Sequence, residues 1–275
     1  MIKRVGMIGL GKMGLPMTRH LRAKGFDVAV FDLNEERMNL AGQLGAKLCG
    51  NPAEVASASE LIIVIVGFDS EVLHVLGAPD GLLAGANEGA IIAVASTVKS
   101  ETMHEIAKDA AKLDKGIGVL DIPLCRSERA AEDATLLLLG GGDKEIFERC
   151  REPFSAFCTD LCLLGDLGAG QIGKMVNNLL LWACISANYE GLKLAAAMGV
   201  DTEVLRQALL LSSGRNWALE TWHVLRAMPW AEKDMTIVAY EADAHQLSLP
   251  LCGVVKEVIK TIKAERGYTT PVERK

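Results

Sequence analysis

A glycine-rich segment near the start of the chain has the residue types and spacing of a phosphate-binding turn. It reads Gly9-Leu10-Gly11-Lys12-Met13-Gly14 and lies between a predicted strand and a predicted helix. The first glycine permits a tight turn, the second lets the backbone approach a pyrophosphate, and the third allows close helix–strand packing. The helix N-terminus then offers unpaired N–H groups to the phosphates. The segment, including Lys12 and Met13, therefore predicts a dinucleotide site.

An aspartate at the end of the second predicted strand supports this interpretation. Asp32 stands 18 residues beyond Gly14. Its carboxylate can accept hydrogen bonds from both ribose hydroxyls and would repel a 2′-phosphate, so we predict NAD rather than NADP as the cofactor. The alternative is an ordinary strand–helix turn followed by a surface aspartate.

A lysine and two asparagines, Lys174, Asn177 and Asn178, lie near the start of a long apolar segment. A spacing of four residues puts Lys174 and Asn178 on one face of a helix. An amide beside an amine can orient the amine, or share a substrate oxygen with it. The spacing alone leaves a second interpretation open, in which Lys174 is a surface residue whose aliphatic stem covers apolar surface.

The elements that must position these residues change in type near residue 165. Before that point short apolar runs alternate with helical segments, which predicts an α/β doubly wound parallel sheet. Strands are predicted over Arg4–Ile8, Asp27–Asp32, Leu61–Val66, Ala90–Ala95, Gly118–Ile122, Thr135–Leu139 and Leu161–Leu164. After that point the pattern is helical, with a long helix over Gln171–Met198 and shorter helical stretches near 202–211, 217–227, 231–245 and 251–264.

These patterns predict a dinucleotide-binding domain over residues 1–165 and an all-helical domain, for substrate binding and oligomerisation, over residues 166–275.

Composition excludes several other classes of protein. The net charge of −6 argues against nucleic-acid binding, and no apolar run is long enough to span a bilayer. The cysteines form no CxxC pair and the histidines lack ligand spacing, so we expect no metal site. Without a targeting segment, we expect a cytoplasmic protein with a small-molecule substrate.

Several short motifs, taken together and in order, resemble the β-hydroxyacid dehydrogenase family, which includes 3-hydroxyisobutyrate dehydrogenases and tartronate semialdehyde reductases. The resemblance covers about residues 3 to 255. Its motifs are Gly-Leu-Gly-Lys-Met-Gly-Leu-Pro-Met at 9–17, Ser96-Thr97, Asp121-Ile122-Pro123, the segment from Gly168 to Asn178, and Lys233-Asp234.

The resemblance implies a Rossmann-type domain, then a helical domain on a long interdomain helix, in an NAD-dependent enzyme that interconverts a small 3-hydroxy acid and its aldehyde. It implies that Lys174 is the general acid/base and that Asn178, with Asn177 beside it, helps hold the substrate. It places Val66 and Gly67 along the ribose and adenine side of the cofactor, and Thr97 and Lys233 at its nicotinamide end.

The residues after Pro123 depart from the family pattern. Relatives usually carry Ser-Gly-Gly where this chain has Cys125-Arg126-Ser127. A thiol is a weaker hydrogen-bond donor than a hydroxyl. A guanidinium, in contrast, is planar and can donate two parallel hydrogen bonds to an oxyanion. A basic residue here is similar to sulfolactaldehyde reductases, whose arginine meets a sulfonate. We therefore predict that Arg126, with Cys125 and Ser127 beside it, holds a small acidic substrate by its sulfonate or carboxylate; alternatively, Arg126 points to solvent and pairs with Glu128.

Three questions stay open at the level of the sequence. The acid group can be a sulfonate, or a carboxylate as in 3-hydroxyisobutyrate or tartronate semialdehyde. The chain can also be a non-catalytic NAD-binding protein that kept the fold but lost its substrate. The apolar surface of the helical half predicts a homodimer or a homotetramer, without choosing between them.

Overall fold

The computed structural model describes residues 1–224 and 227–271. The chain divides into two compact units, Met1–Lys174 and Met175–Lys275. Every strand of the described residues lies in the first unit, where the last strand ends at Gly165, and the described part of the second unit is helical. This order confirms the predicted fold class, an α/β domain followed by an all-helical one. The boundary predicted between residues 165 and 166 lies just before a helix that belongs to both units.

A nine-stranded sheet, counted over the described residues, forms the centre of the first unit. Its order is β3-β2-β1-β4-β5-β6-β8-β7, with β9 paired to β8. The strands are β1 (Arg4–Ile8), β2 (Asp27–Phe31), β3 (Lys47–Leu48), β4 (Leu61–Val64), β5 (Ile91–Val94), β6 (Gly118–Asp121), β7 (Leu124–Cys125), β8 (Leu136–Gly141) and β9 (Cys158–Gly165).

The sheet is mostly parallel. Strands β1 to β6 pair in parallel, as predicted, whereas β8 runs antiparallel to β6 and β7 and parallel to β9. Strands β3 and β7 were not predicted, because two residues are too few to show a periodic pattern. The strand order reverses at β1, so the carboxyl ends of β1 and β4 border the crevice where open α/β sheets bind ligands. The glycine-rich turn follows β1 directly and therefore lies at this crevice.

The central strands are buried on both faces. In β4, Leu61 and Ile63 pack into one apolar cluster, while Ile62 and Val64 pack into another on the opposite face of the sheet. All four side chains are completely shielded from solvent. This double burial explains why the strand reads as a continuous apolar run rather than an alternating one.

Helices cover the sheet between the strands. They are α1 (Gly14–Ala23), α2 (Glu35–Gln43), α3 (Pro52–Ser57), α4 (Asp69–Gly77), α5 (Leu82–Gly85), α6 (Ser100–Ala111), α7 (Ser127–Glu132), α8 (Lys144–Arg149) and α9 (Arg151–Phe154). Helix α2 begins after Asn34, whose side-chain oxygen accepts the N–H of Arg37 at 3.0 Å. This N-cap fixes the start of α2 directly after Asp32.

The remaining helices are α10 (Ala169–Ala197), α11 (Thr202–Leu209), α12 (Trp217–Glu220), α13 (Ala231–Ala244) and α14 (Pro250–Arg266). Helix α10 begins in the first unit and continues into the second. The core of the second unit includes Trp182, Met235 and Ile259. Within the described residues, no helix is both long and apolar enough to cross a membrane.

The helical stretch predicted near 217–227 is wrong in its length. Helix α12 ends at Glu220, and the N–H groups of Trp222 and Val224 bond to carbonyl oxygens three residues back, which makes turns rather than α-helix. Residues 225–226 lie outside the described part of the chain. Trp222 packs against the core from this turn, and an apolar residue in a core-facing turn is not distinguished from a helical one by the sequence pattern.

Candidate active site

Two glycines close the turn after β1. Gly9 has a φ of +92° and donates its N–H to the carbonyl oxygen of Phe31 at 3.0 Å. A Cβ atom on Gly9 would collide with the carbonyl oxygen of Ile65, and one on Gly14 would collide with that of Gly9. Apart from Gly11 itself and its two chain neighbours, no described residue has an atom within 4 Å of the place where a Cβ on Gly11 would be. The turn itself therefore requires Gly9 and Gly14, while Gly11 leaves backbone accessible to a ligand.

Lys12 and Met13 complete the turn. Met13 occupies the N-cap position of α1, and no side chain caps this helix N-terminus. Lys12 Nζ lies 3.0 Å from Glu128 Oε2, and both side chains are more than half exposed. The N-terminus of α1 therefore presents its backbone N–H groups and its positive dipole end at the crevice, which suits a pyrophosphate.

The carboxylate of Asp32 is nearly buried and is held by backbone groups. Its Oδ2 accepts the N–H of Leu10 at 2.6 Å, and its Oδ1 accepts the N–H of Asn34 at 2.8 Å. Arg37 Nη1 lies 3.6 Å from Oδ2. A carboxylate has about four lone-pair positions, so capacity remains for ribose hydroxyls.

Hydrogen bonds also link the residues that follow β4 and β5. The N–H of Val66 donates to Ser96 Oγ at 2.8 Å, and the N–H of Gly67 donates to Glu71 Oε2 at 2.7 Å. Ser96 is buried, and Thr97 follows it at the same edge of the sheet. Two loops predicted to contact the cofactor are thus tied together next to the glycine-rich turn.

A buried carboxylate caps the start of α10. Asp121, at the end of β6, is completely shielded from solvent and accepts the N–H groups of Gly168 and Gln171, each at 2.7 Å. Burial raises the pKa of Asp121, and these two N–H donors oppose the shift. The carboxylate also faces the positive end of the helix dipole. The end of β6 therefore fixes the first turn of α10.

Lys174 lies one turn into α10 and contacts the segment where the family pattern changes. Its Nζ donates to the carbonyl oxygen of Leu124 at 2.5 Å and lies 3.9 Å from Cys125 Sγ. Burial raises the pKa of the Cys125 thiol, although Lys174 and Arg126 both act to lower it. The lysine amine therefore lies beside a carbonyl and a protonated thiol, with its side chain only partly buried.

Arg126 and Ser127 occupy left-handed backbone conformations, with φ of +84° and +74°. The guanidinium of Arg126 uses Nη1 for three contacts, which are with the carbonyl oxygen of Thr135 at 3.1 Å, Thr159 Oγ1 at 2.9 Å and Asp160 Oδ2 at 2.6 Å. Hydrogen bonds from Arg126, and then from Thr159, lower the pKa of Asp160. Arg126 is therefore anchored to β9 while its side chain stays 42% exposed.

The alternative pairing of Arg126 with Glu128 is wrong. Glu128 pairs with Lys12, and Arg126 pairs with Asp160. Asp160 lies 34 residues from Arg126 in the sequence and reaches it only because β9 and β7 both pair with β8. Local spacing cannot reveal such a contact.

The other predicted site residues belong to the second unit. Asn178 is buried, and its Oδ1 accepts a hydrogen bond from Nδ2 of the half-buried Asn177 at 3.0 Å. Lys233 is the third residue of α13, and its Nζ lies 5.5 Å from the centre of the Trp230 ring. The first unit brings together Lys174, Leu124 and Cys125, whereas Asn177 and Asn178 lie farther along the same helix.

The sequence predictions assigned no role to Asp121, Gln171 or Asp160. Asp121 was noted as part of a motif, and its signal was an aspartate at a strand end followed by a glycine-rich helix start. Gln171 is a polar residue at the start of an apolar helix and is completely buried. Across the described ranges, 1–224 and 227–271, no group of three His, Cys, Asp or Glu side chains is arranged to hold a metal ion.

Two family models match the chain. The NAD-binding domain of 6-phosphogluconate dehydrogenase matches residues 4–165, and the NAD-binding domain of NADP-dependent 3-hydroxyisobutyrate dehydrogenase matches residues 168–271. Together with the sheet order and the glycine-rich turn, these matches define an oxidoreductase with an NAD(P)-binding domain. The chain belongs to the β-hydroxyacid dehydrogenase family.

Individual relatives agree with this assignment. The 2-(hydroxymethyl)glutarate dehydrogenase of Eubacterium barkeri is 35% identical, over 79% of this chain and 71% of its own length. The NAD-dependent L-serine dehydrogenase of Pseudomonas aeruginosa is 31% identical, over 83% of this chain and 74% of its own. The crystal structure of a 3-hydroxyisobutyrate dehydrogenase from Salmonella typhimurium superimposes with a TM-score of 0.83 at 26% identity, covering 96% of this chain and 95% of that one.

Proposed function

We propose that the protein interconverts a small 3-hydroxy acid and its aldehyde, with Lys174 as the general acid/base. The observation that carries this proposal is the contact of the Lys174 amine with the Leu124 carbonyl and the Cys125 thiol. The amine therefore lies on the segment that holds the substrate acid group in the family pattern. The dinucleotide, when bound, supplies or accepts the hydride.

Lys174 handles the proton. In the oxidation, its neutral amine takes the hydroxyl proton as hydride leaves the same carbon; in the reduction, its ammonium protonates the new alkoxide. Because the Leu124 carbonyl accepts a hydrogen bond from Nζ, the amine is oriented before the substrate arrives. Asn178, four residues farther along α10, holds the substrate with Asn177 beside it.

The relatives named above suggest the substrate class. 2-(Hydroxymethyl)glutarate, L-serine and 3-hydroxyisobutyrate share one unit, a hydroxymethyl group on the carbon that bears a carboxylate. We infer that this protein acts on the same unit, or on a sulfonate in its place. Cys125, Arg126 and Ser127 hold the acid group, and the Nε–Nη2 edge of the guanidinium binds it while Nη1 keeps its contact with Asp160.

Asp32 favours NAD over NADP. Its carboxylate follows β2 and is held by the N–H groups of Leu10, in the glycine-rich turn, and Asn34, which supports a role for it at the adenosine ribose. A 2′-phosphate there would meet a nearly buried negative charge, which is unfavourable. Lys12, Met13, Val66, Gly67, Thr97 and Lys233 complete the proposed cofactor contacts.

The proposed binding roles differ between the two parts of the chain. Residues 1–165 supply most of the cofactor contacts and also the Cys125–Ser127 segment that holds the acid group. Residues 166–275 supply the other substrate residues, the cofactor contact of Lys233 and the surface for a second copy of the chain. On α10, Val176, Leu180 and Leu194 lie on one helix face and are 53%, 61% and 62% exposed. Burying such a face against its copy is the common route to a symmetric oligomer, so we propose a homodimer or homotetramer.

The test is oxidation of NADH with a panel of acid aldehydes, which are sulfolactaldehyde, tartronate semialdehyde, methylmalonate semialdehyde, succinate semialdehyde and the aldehyde of 2-(hydroxymethyl)glutarate. Lys174→Ala should lower kcat by about 10²- to 10⁴-fold, the usual contribution of general acid–base catalysis. Lys193→Ala is the matched control, because Lys193 is an exposed lysine on the same helix that pairs with Glu265. Equal activity in the two variants would refute the role of Lys174.

The panel also tests the non-catalytic alternative. If the wild-type protein binds NADH but turns over no aldehyde in the panel and oxidises none of the corresponding hydroxy acids, the enzyme proposal fails. Preference for sulfolactaldehyde that disappears in Arg126→Ala, but not in the control Arg129→Ala, would assign a sulfonate. Arg129 is a suitable control because its side chain is 83% exposed and pairs only locally, with Asp133.

A further inference from the structure

Gln171, in the first turn of α10, clamps the loop that follows β5. Its side chain is completely buried. Nε2 donates to the carbonyl oxygen of Ser96 at 2.8 Å, and Oε1 accepts the N–H of Val98 at 3.1 Å. These two backbone groups flank Thr97, so a single amide holds the residue before and the residue after the predicted nicotinamide contact.

The backbone of Gln171 is fixed as firmly as its side chain. Its N–H donates to the Asp121 carboxylate at 2.7 Å, and the same carboxylate holds Gly168. Lys174 follows three residues later and contacts the Leu124 carbonyl, so its position depends on the same helical turn. One turn of α10 thus connects the Thr97 loop after β5, the carboxylate at the end of β6 and the lysine amine.

We propose that Gln171 is a positioning residue that sets the Thr97 loop relative to Lys174. The proposal rests on the proposed function and implies that two things depend on one buried amide, namely the position of the nicotinamide contact Thr97 and the position of the proton-transferring amine of Lys174. Catalytic rates are sensitive to such geometry, since a misplacement of about 1 Å can cost about 100-fold. A glutamine that served folding alone would affect stability without changing the chemical step.

Gln171→Glu and Gln171→Leu separate these possibilities. Gln171→Leu removes both hydrogen bonds, whereas Gln171→Glu keeps the shape and, when ionised, replaces the donor by a buried negative charge beside the Ser96 carbonyl oxygen. Gln43→Leu is the matched control, because Gln43 is an exposed glutamine at the end of α2. We expect kcat to fall about 10- to 100-fold in Gln171→Leu, with NADH affinity within about threefold of wild type. The isotope effect with 4-deuterated NADH should increase, because misplacement slows the hydride step itself.

The pH profile of Gln171→Glu gives a second readout, provided that the free energy of unfolding of this variant is followed over the same pH range. An ionised carboxylate at this buried position also destabilises the folded state, so the profile supports the proposal where activity changes while the protein remains fully folded. A protonated carboxyl can donate to Ser96 through its O–H and accept from Val98 through its C=O, which reproduces the amide pattern. Relative to wild type, activity of this variant should therefore recover as the pH falls and the introduced group becomes neutral. Gln171→Leu should show no such recovery.

Hydrogen–deuterium exchange tests whether Gln171 holds the loop after β5, and this measurement needs no catalytic activity. In the protein without substrate, the Val98 amide should exchange about 5- to 10-fold faster in Gln171→Leu than in wild type or Gln43→Leu, the effect of losing one hydrogen bond. Unchanged exchange at Val98 would overturn the proposal even if the wild type proves inactive, in which case the proposed function fails separately. Faster exchange with kcat and isotope effect at wild-type values would also overturn it, because the hydrogen bonds of Gln171 would then not affect the chemical step.

If Gln171→Leu does not fold, Gln171→Glu decides alone. Activity that does not recover at lower pH would contradict the proposed role of the Gln171 amide.

Discussion

The Oδ2 atom of Asp32 accepts the backbone N–H of Leu10 at 2.6 Å. The bond joins the end of β2 to the middle of the glycine-rich turn. The residue expected to recognise the ribose therefore also fixes the backbone that approaches the pyrophosphate. Changes at Asp32 should consequently alter both cofactor choice and stability.

Asp32→Asn should raise the efficiency with NADPH relative to NADH by about 10-fold, because the negative charge facing a 2′-phosphate is gone. The amide oxygen still accepts one N–H, but the second bond is lost, at a cost of about 1 kcal/mol in the free energy of unfolding. Ratios of kcat/KM and urea unfolding provide the measurements. Asp27→Asn, at an 81% exposed aspartate that begins the same strand, is the control. An unchanged cofactor ratio would remove Asp32 from cofactor selection.

Arg126 offers a matched pair of substitutions, because its φ of +84° suits glycine better than any other residue. Arg126→Gly and Arg126→Ala both delete the guanidinium, so both should raise KM for the acid substrate about 10-fold, the loss of one charged contact. Arg126→Gly should be more stable than Arg126→Ala by about 1 kcal/mol, since only alanine strains the left-handed backbone. Steady-state kinetics and urea unfolding measure the two effects. Equal KM in wild type and both variants would mean that Arg126 only anchors the segment to β9.

The stability of the folded protein at low pH should depend on the ion pair between Glu203 and Arg206 in the second unit. Hydrogen bonding by Arg206 lowers the pKa of Glu203 from 4.5 to about 2. The ionised form is favoured in the folded state, so the stabilisation is complete above the unfolded pKa and is lost as the pH falls through the folded one. The Tm difference between wild type and Glu203→Gln should therefore be full at pH 6 and shrink between about pH 4.5 and pH 2. Thermal melts at stepped pH measure it, and a difference that stays constant down to pH 2 would contradict the assigned cause.

A charge on the exposed face of α10 should break the proposed oligomer. Leu180→Glu places a carboxylate where the side chain is 61% exposed in the single chain. If a second copy covers this face, the buried charge is costly and the mass measured by light scattering should fall to a smaller species. Leu113→Glu, on a partly exposed leucine of the first unit, should leave the mass unchanged. The same mass for Leu180→Glu and wild type would place the interface elsewhere.

Much of the first unit could be predicted from the sequence, because its signals are local. Gly9, Gly11 and Gly14 follow a strand and begin a helix, and Asp32 ends the next strand. The apolar run at 61–66 contains β4, whose four residues are covered on both faces, and ends in two partly buried residues after the strand. Such patterns need only neighbouring residues to be interpreted.

The parts that could not be predicted depend on contacts between distant segments. Asp160 meets Arg126 across β8, and Gln171 reaches the loop after β5 across 75 residues. Glu128 was the nearer acid to Arg126 in sequence, yet the left-handed backbone at Arg126 turns the side chain towards β9. Pairings of this kind are decided by strand order rather than by spacing.

The four side chains of β4 are apolar and equally buried on both faces, so the hydrophobic pattern alone gives this strand no preferred register, because a slip by one position would place apolar side chains on both faces again. The polar groups at its two ends supply that preference. Before the strand, Glu60 accepts the N–H groups of Lys3 and Arg4; after it, Ser96 accepts the N–H of Val66. The second of these anchors lies where the cofactor loops meet. An insertion or deletion within β4 would therefore displace the loop that carries Val66 from Ser96, as well as repacking both faces of the sheet.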